Sequence, residues 1–189
     1  MEPSDGELIV RGRAGDREAL QALAERYQGR ILRVVVGMLR NSEDASDIVQ
    51  EAFVRAFRNL GKFKGDSSFY TWLYRIAVNL TIDHRRKDGK RTMVEFDENA
   101  PPATDVHGHG AGRSPFDPFE QVRNRELGRM IFAAIEELTP DHRAVILLRE
   151  VEGLSYEEIS QVLECSLGTV MSRLHYARKK LQARLGELL

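Results

Sequence analysis

The residues best suited to chemistry in this chain are cations and aromatics rather than nucleophiles or metal ligands. From Leu167 to Arg184 the charged side chains are Arg173, Arg178, Lys179, Lys180 and Arg184, with no acid among them. From Arg75 to Arg91, the bases Arg75, Arg85, Arg86, Lys87, Lys90 and Arg91 stand against Asp83 and Asp88. That second cluster follows an aromatic run of Phe63, Phe69, Tyr70, Trp72 and Tyr74, flanked by Lys62 and Lys64. Cationic side chains neutralise phosphates and release their counterions. Arginine forks onto guanine O6 and N7, and aromatic rings stack on bases once a duplex is opened. The chemistry on offer is recognition of nucleic acid. Catalysis has no comparable support. Cys165 is the only cysteine, and His107-Gly108-His109 lies on a glycine-rich stretch that fixes no ligand geometry. Acids and histidines do not cluster at metal-binding spacing, which argues against a nuclease. No enzyme activity, metal, cofactor or small-molecule substrate is expected.

The net charge of −1 speaks against nucleic acid until its distribution is examined. Between Thr92 and Val122 the acids Glu95, Asp97, Glu98, Asp105, Asp117 and Glu120 face only Arg113. Two basic patches are therefore separated by an acidic connector. The connector is also rich in Pro101, Pro102, Pro115, Pro118, Gly108, Gly110 and Gly112, with little apolar surface to offset the entropy of ordering it. It reads as a flexible acidic linker over residues 92–122, between a domain at 1–91 and another at 123–189. No apolar run approaches the ~20 residues that span a bilayer. The N-terminal stretch lacks the basic and apolar pattern of a signal peptide, and a lone cysteine suits a reducing compartment. A cytoplasmic location is expected.

The elements that position the candidate residues read as all-α: two small helical domains joined by the linker, the second containing a helix-turn-helix. In the first, Leu20, Leu23, Ala24, Tyr27, Ile31, Val34, Val35, Met38 and Leu39 recur at helical spacing. Ser42 is placed to cap a helix whose first turn carries Glu43 and Asp44 and whose apolar face is Ile48, Ala52, Phe53 and Ala56. Asp66 or Ser67 then caps a helix carrying Phe69, Trp72, Leu73, Ile76, Ala77 and Leu80, of which Phe69, Trp72 and Ile76 read as core.

In the second domain Leu127, Ile131, Ile135 and Leu138 form one face. Thr139-Pro140 reads as a cap followed by proline at the first helical position. Val145, Leu148 and Val151 continue inward to a stop at Gly153. Ser155 and Glu158 form a capping box, opening a short helix that a turn of about four residues joins to a long basic one. Ile159, Val162, Val170 and Leu174 lock this pair together. Thr169, Ser172, Arg173, Tyr176 and Lys179 are left for a major groove, while Glu150, Glu152 and Glu164 are expected to turn away from DNA or toward protein.

Three motifs carry a resemblance: Asp44-Ala45-Ser46-Asp47-Ile48-Val49-Gln50-Glu51-Ala52-Phe53, Phe69-Tyr70-Thr71-Trp72-Leu73-Tyr74-Arg75-Ile76-Ala77-Val78-Asn79, and Gly168-Thr169-Val170-Met171-Ser172-Arg173-Leu174. In this order they resemble the extracytoplasmic-function (ECF) sigma factors of bacterial RNA polymerase. The match spans both domains and omits the linker and the extreme ends. The resemblance implies that Asp44, Asp47, Gln50 and Glu51 dock on the largest catalytic subunits of core RNA polymerase. It implies that Lys64, Tyr70, Tyr74, Arg75, Asn79, Arg85 and Arg86 read and open the −10 promoter element. It assigns −35 recognition to Tyr156, Thr169, Met171, Ser172, Arg173, His175, Tyr176 and Lys179. Met171 stands where many relatives carry arginine, which leaves the base preference open. Core RNA polymerase, promoter DNA and an anti-sigma factor are the implied partners. An ordinary helix-turn-helix regulator is the competing reading, but it gives the N-terminal acidic and aromatic motifs nothing to do.

Overall fold

A computed structural model describes residues 2–39, 42–92 and 118–186, and among them no strand occurs. The first helix, α1 (Asp5–Arg13), opens on a reciprocal cap. Ser4 Oγ accepts from the Glu7 N–H at 3.3 Å, and the Glu7 carboxylate accepts from the Ser4 N–H at 2.7 Å. This helix escapes periodicity because only Leu8 and Ile9 on it are buried, although Ser4-x-x-Glu7 is its signature. Gly15 turns the chain at φ +90°, where glycine alone avoids a steric penalty. Asp16 then caps α2 (Arg17–Met38) by accepting from the N–H groups of Glu18 and Ala19.

Helix α3 (Ser42–Arg58) buries Ala45, Ile48, Val49, Ala52, Phe53 and Ala56; the expected Ser42 cap lies outside the described side chains. A 3-10 turn at Leu60–Lys62 leads to α4 (Phe69–Thr92). Its cap is Ser68, whose Oγ accepts from the Thr71 N–H at 3.0 Å, and not Asp66 or Ser67. Only the residue next to the first helical position sits where a short side chain meets the N–H of the third.

In the second domain α5 (Pro118–Glu136) begins inside the segment that reads as linker; residues 93–117 of that segment lie outside the described residues, His107 and His109 included. The expected apolar face is half realised. Ile135 and Leu138 are buried, but Leu127 and Ile131 are 38% and 36% exposed. Thr139 caps α6 (Pro140–Ile146), accepting from the His142 N–H at 3.4 Å with Pro140 in the first turn.

A π-helical turn, Leu147–Val151, follows. The widened turn rotates the register, so Leu147 and Leu148 are buried while Val151, expected inside, is 46% exposed. Glu152 takes the inward place, its N–H donating to Leu147 O at 3.2 Å. Gly153, at φ +72°, ends the element. Ser155 and Glu158 cap α7 (Tyr156–Leu163) reciprocally, at 3.1 and 2.8 Å. The turn passes through Glu164 at φ +50° into α8 (Leu167–Gly186). Ile159, Val162, Val170 and Leu174 are all buried where α7 meets α8. The helix-turn-helix is formed.

The two domains share one continuous apolar core. Helix α7 packs on α4, and α2 meets α5 and α6. Gly37 lies flush against the side chain of Leu147, so that a Cβ there would stand 2.8 Å from it.

Candidate nucleic-acid interface

Helix α4 decides which candidate residues can meet a ligand. At 100° per residue, Tyr70, Tyr74, Ala77, Thr81 and Arg85 fall on one side, and Trp72, Arg75, Asn79 and Arg86 on the other. Burial follows that division. Tyr74, Ala77 and Thr81 are fully buried, whereas Asn79 and Arg86 are exposed and Arg75 is partly so. Tyr74 is therefore a core residue and not a surface contact, a correction to its placement among the reading residues. Its hydroxyl lies 3.3 Å from that of Tyr70, which donates to Glu152 Oε2 at 2.7 Å. Burial raises both phenols above the ordinary tyrosine range. Arg85 donates to the Met38 carbonyl at 3.2 Å, at the end of α2. Sequence reasoning grouped residues from two opposite faces because they are neighbours in the chain.

On the open side of α4, the loop Lys62–Ser67 and the first turns of the helix surround a cleft of about 420 Å³. Phe63, Trp72, Thr71 and Arg75 form its wall, Lys62 and Lys64 its cationic rim. Phe63 and Trp72 pack with ring centroids 5.2 Å apart, and Phe63 meets Phe69 edge-on. Phe69 is buried and Trp72 and Ile76 are packed against the core, so the core reading of these three holds while the edge of Trp72 still reaches the cleft. Gln161, from α7, also lines the cleft; its distance in sequence hides it from local reading.

Helix α3 presents Asp47, Gln50 and Glu51 to solvent opposite its buried face. Glu51 pairs with Arg55 one turn on at 2.6 Å. Asp44, three residues before Asp47 and seven before Glu51, lies on the same side of the helix, partly exposed and 3.4 Å from His84 Nε2.

Along α8, Met171, Ser172, His175, Tyr176 and Lys179 are exposed. Met171, His175 and Lys179 border a second cleft of about 480 Å³ with Tyr156, Arg178 and Gln182. From sequence Arg178 is one cation of the basic run and Gln182 is not singled out, although both share the i, i+4, i+7, i+11 spacing of Met171. Arg173 is held by Asp141, and Arg178 by Glu150 at 2.6 Å. Thr169 is engaged in capping, with its N–H donating to Ser166 Oγ at 3.1 Å and the two hydroxyls 2.8 Å apart. The Tyr156 ring carries the Arg149 guanidinium at 5.2 Å. Among the described residues no cluster of acids, cysteines and histidines could hold a metal ion. No described helix is long and apolar enough to cross a membrane.

Comparison with known proteins gives this geometry a family. Residues 23–91 match Sigma-70 region 2, and residues 128–181 match Sigma-70, region 4. The RNA polymerase sigma-H factor of Pseudomonas aeruginosa is 39% identical over 185 residues, covering 98% of this chain and 95% of the relative. The ECF RNA polymerase sigma-E factor of Escherichia coli K12 is 39% identical over 186 residues, covering 98% and 96%. The chain belongs to the ECF sigma-factor family. As a sigma factor it directs promoter-specific transcription initiation by RNA polymerase. The fold agrees. CnrH, solved in complex with the cytosolic domain of CnrY, superposes at TM-score 0.69 with 26% identity, over 95% of this chain and 96% of that one. The sigma factor RpoE of Bartonella quintana, solved with the anti-sigma factor NepR, shares the fold at TM-score 0.70 with 23% identity, over 88% and 96%.

Proposed function

We propose that residues 1–91 of this sigma factor bind core polymerase and read and melt the −10 element, and that residues 123–189 read the −35 element, joined through 92–122. The observation that carries this reading is the two-faced α4. One side anchors the helix through Tyr74 and Ala77. The other sets Trp72, Arg75, Asn79 and Arg86 in line beside the aromatic cleft. A base leaving a duplex gives up its stacking, and an aromatic-walled cleft with cationic edges compensates for that loss. Asn79 brings both a donor and an acceptor to a base edge, and Lys64 and Arg86 track phosphates. On α3, Asp47, Gln50 and Glu51 suit a basic face of the polymerase. On α8, Met171, Ser172, His175, Tyr176 and Lys179 meet the −35 groove. The protein works in the cytoplasm beside the polymerase, contributes no catalysis of its own and needs no metal or cofactor. An anti-sigma factor is its expected regulator, in keeping with relatives solved in complexes.

The test is run-off transcription with core polymerase and a promoter library. Transcripts from a defined subset of promoters, weakened by Asp47→Lys with Glu51→Lys at unchanged helical content, are expected. Tight sequence-specific duplex binding by the protein alone, without transcripts on adding core, would replace this reading with an ordinary helix-turn-helix regulator.

A further inference from the structure

The side chain of Glu152 is fully buried, yet its carboxylate is held entirely from the other domain. Arg30 Nε donates to it at 3.0 Å, Arg33 Nε at 3.2 Å and Tyr70 at 2.7 Å. The Arg30 guanidinium also lies 3.9 Å over the Tyr70 ring. Around this clasp α7 comes down on the open end of α4. Thr71 Oγ1 donates to Glu158 at 3.3 Å, Glu164 stands 3.9 Å from Arg75, and Gln161 enters the aromatic cleft. An acid thus stands beside Arg75, the cation that flanks the cleft.

We propose that Glu152 is the latch of an autoinhibited state, in which the chain closes on itself and packs against the Arg75 and cleft end of its own −10-reading surface without any second protein. The inference rests on the −10 reading proposed above for Arg75 and the cleft. Distance makes closure and promoter binding exclusive. Elements centred about 25 base pairs apart lie roughly 85 Å apart along B-form DNA at 3.4 Å per step. Helix α8 itself, at 1.5 Å per residue, is only about 30 Å long. With α7 seated on α4, the two reading surfaces cannot reach both elements. The chemistry of the clasp suits a reversible contact. Burying the Glu152 carboxylate costs much of what its attraction to two half-exposed guanidinium groups returns, so such a cluster sets register more than it adds stability. On opening, the carboxylate regains water. Arg30 and Arg33 are already 41% and 56% exposed on their side chains, which leaves them accessible to salt and to a competing surface.

The experiment measures an inter-domain distance by fluorescence energy transfer in the full chain, labelled on α3 and on α8, for wild type, Glu152→Gln and Glu150→Gln. Glu150 pairs with Arg178 inside its own domain and serves as the control. Wild type and Glu150→Gln should be closed at low salt, and Glu152→Gln open, with circular dichroism unchanged. Arg30→Glu with Arg33→Glu should open the chain, and the same pair with Glu152→Arg should close it again, which a merely misfolded variant would not do. With core polymerase at limiting sigma factor, Glu152→Gln should raise run-off several-fold. Equal distances in wild type and Glu152→Gln would overturn the latch, whatever Arg75→Ala does to promoter opening. An open Glu152→Gln chain combined with an Arg75→Ala variant that melts promoters normally would leave the latch standing and sink the −10 reading instead.

Discussion

The Arg143 guanidinium donates to the Met38 carbonyl at 3.1 Å, joining residues 105 positions apart in the chain. Arg143 is only 2% exposed. It also donates to the carbonyls of Ile135 and Leu138, at 3.1 and 3.2 Å, and to that of Glu136. These oxygens lie at the ends of α2 and α5, where helices leave carbonyls unpaired and a cation is favoured by the dipole. Arg143→Met keeps much of the volume but orphans several acceptors at once. Each buried unsatisfied group costs on the order of 1–3 kcal/mol, partly relieved by water entry. A loss of about 2–4 kcal/mol in unfolding free energy is expected from denaturant midpoints. Arg143→Lys should fall between the two, because an ammonium cannot fork across separate helix ends. A midpoint unchanged in Arg143→Met would remove the helix-end role.

The two faces of α4 predict opposite consequences for Tyr74 and Asn79, five residues apart. Asn79 is exposed, and Asn79→Ala should alter thermal stability by no more than about 0.5 kcal/mol. It should reduce run-off from −10-dependent promoters about tenfold, the scale of one lost base contact. Tyr74 is fully buried. Tyr74→Ala should cost about 3 kcal/mol of stability, like other large aromatic truncations. The same residue as Phe should retain promoter selectivity. Parallel melting curves and transcription assays separate the two outcomes; a selective loss of −10 reading in Tyr74→Phe would contradict the assignment.

How much of this was legible in the sequence depends on the range of the interaction. The capping boxes at Ser155 and Glu158, the Thr139-Pro140 start and the α7–α8 core follow from contacts within a few residues, and the structure realises each of them. Even α1 carried its signature in Ser4 and Glu7, hidden only because two buried residues make no period. The split of Tyr74 from Asn79 was also available, since five residues along a helix turn through 500°, and chain proximity obscured it. The displacement of Val151 by Glu152 was not available. It arises from a π-helical turn, and the Glu152 that follows that turn is held by arginines on α2 that no local pattern connects to it. Likewise the place of Arg85 depends on where α2 ends in space.

Alkaline pH should weaken the packing of α1 on α2. The Tyr27 hydroxyl is bonded to Asp5, and burial, with the carboxylate beside it, pushes its phenol up to about 12. In the unfolded chain the phenol ionises near 10. Between these values the folded protein holds a proton that the unfolded chain has lost, so unfolding free energy falls as pH rises. The contribution is fully present below pH ~10 and is lost progressively as pH climbs through about 12. Tyr70 and Tyr74, raised in the same direction, act with the same sign. Thermal melts from pH 9 to 11.5 should show a steepening loss, shallower in Tyr27→Phe. An identical slope in that variant would show that Tyr27 does not contribute.

Met171 offers the most direct test of base selection by α8. It is 52% exposed and borders the cleft that holds His175 and Lys179, while Arg173 is tied to Asp141. A thioether carries no charge and no strong donor, so in a groove it favours the apolar methyl of thymine over a guanine edge. Met171→Ala should therefore flatten the preference at one position of the −35 element and leave the salt dependence of binding unchanged. Met171→Arg should shift that position toward guanine by about 1–3 kcal/mol, the range of a bidentate contact. Lys179→Ala should behave differently. Losing a phosphate contact weakens all sequences alike and lowers the slope of log K against log salt by about one. Selection of randomised −35 elements with holoenzyme, repeated at two salt concentrations, distinguishes the three variants. A salt slope that falls in Met171→Ala, or a preference that moves in Lys179→Ala, would reverse the division of labour assigned to this face of α8.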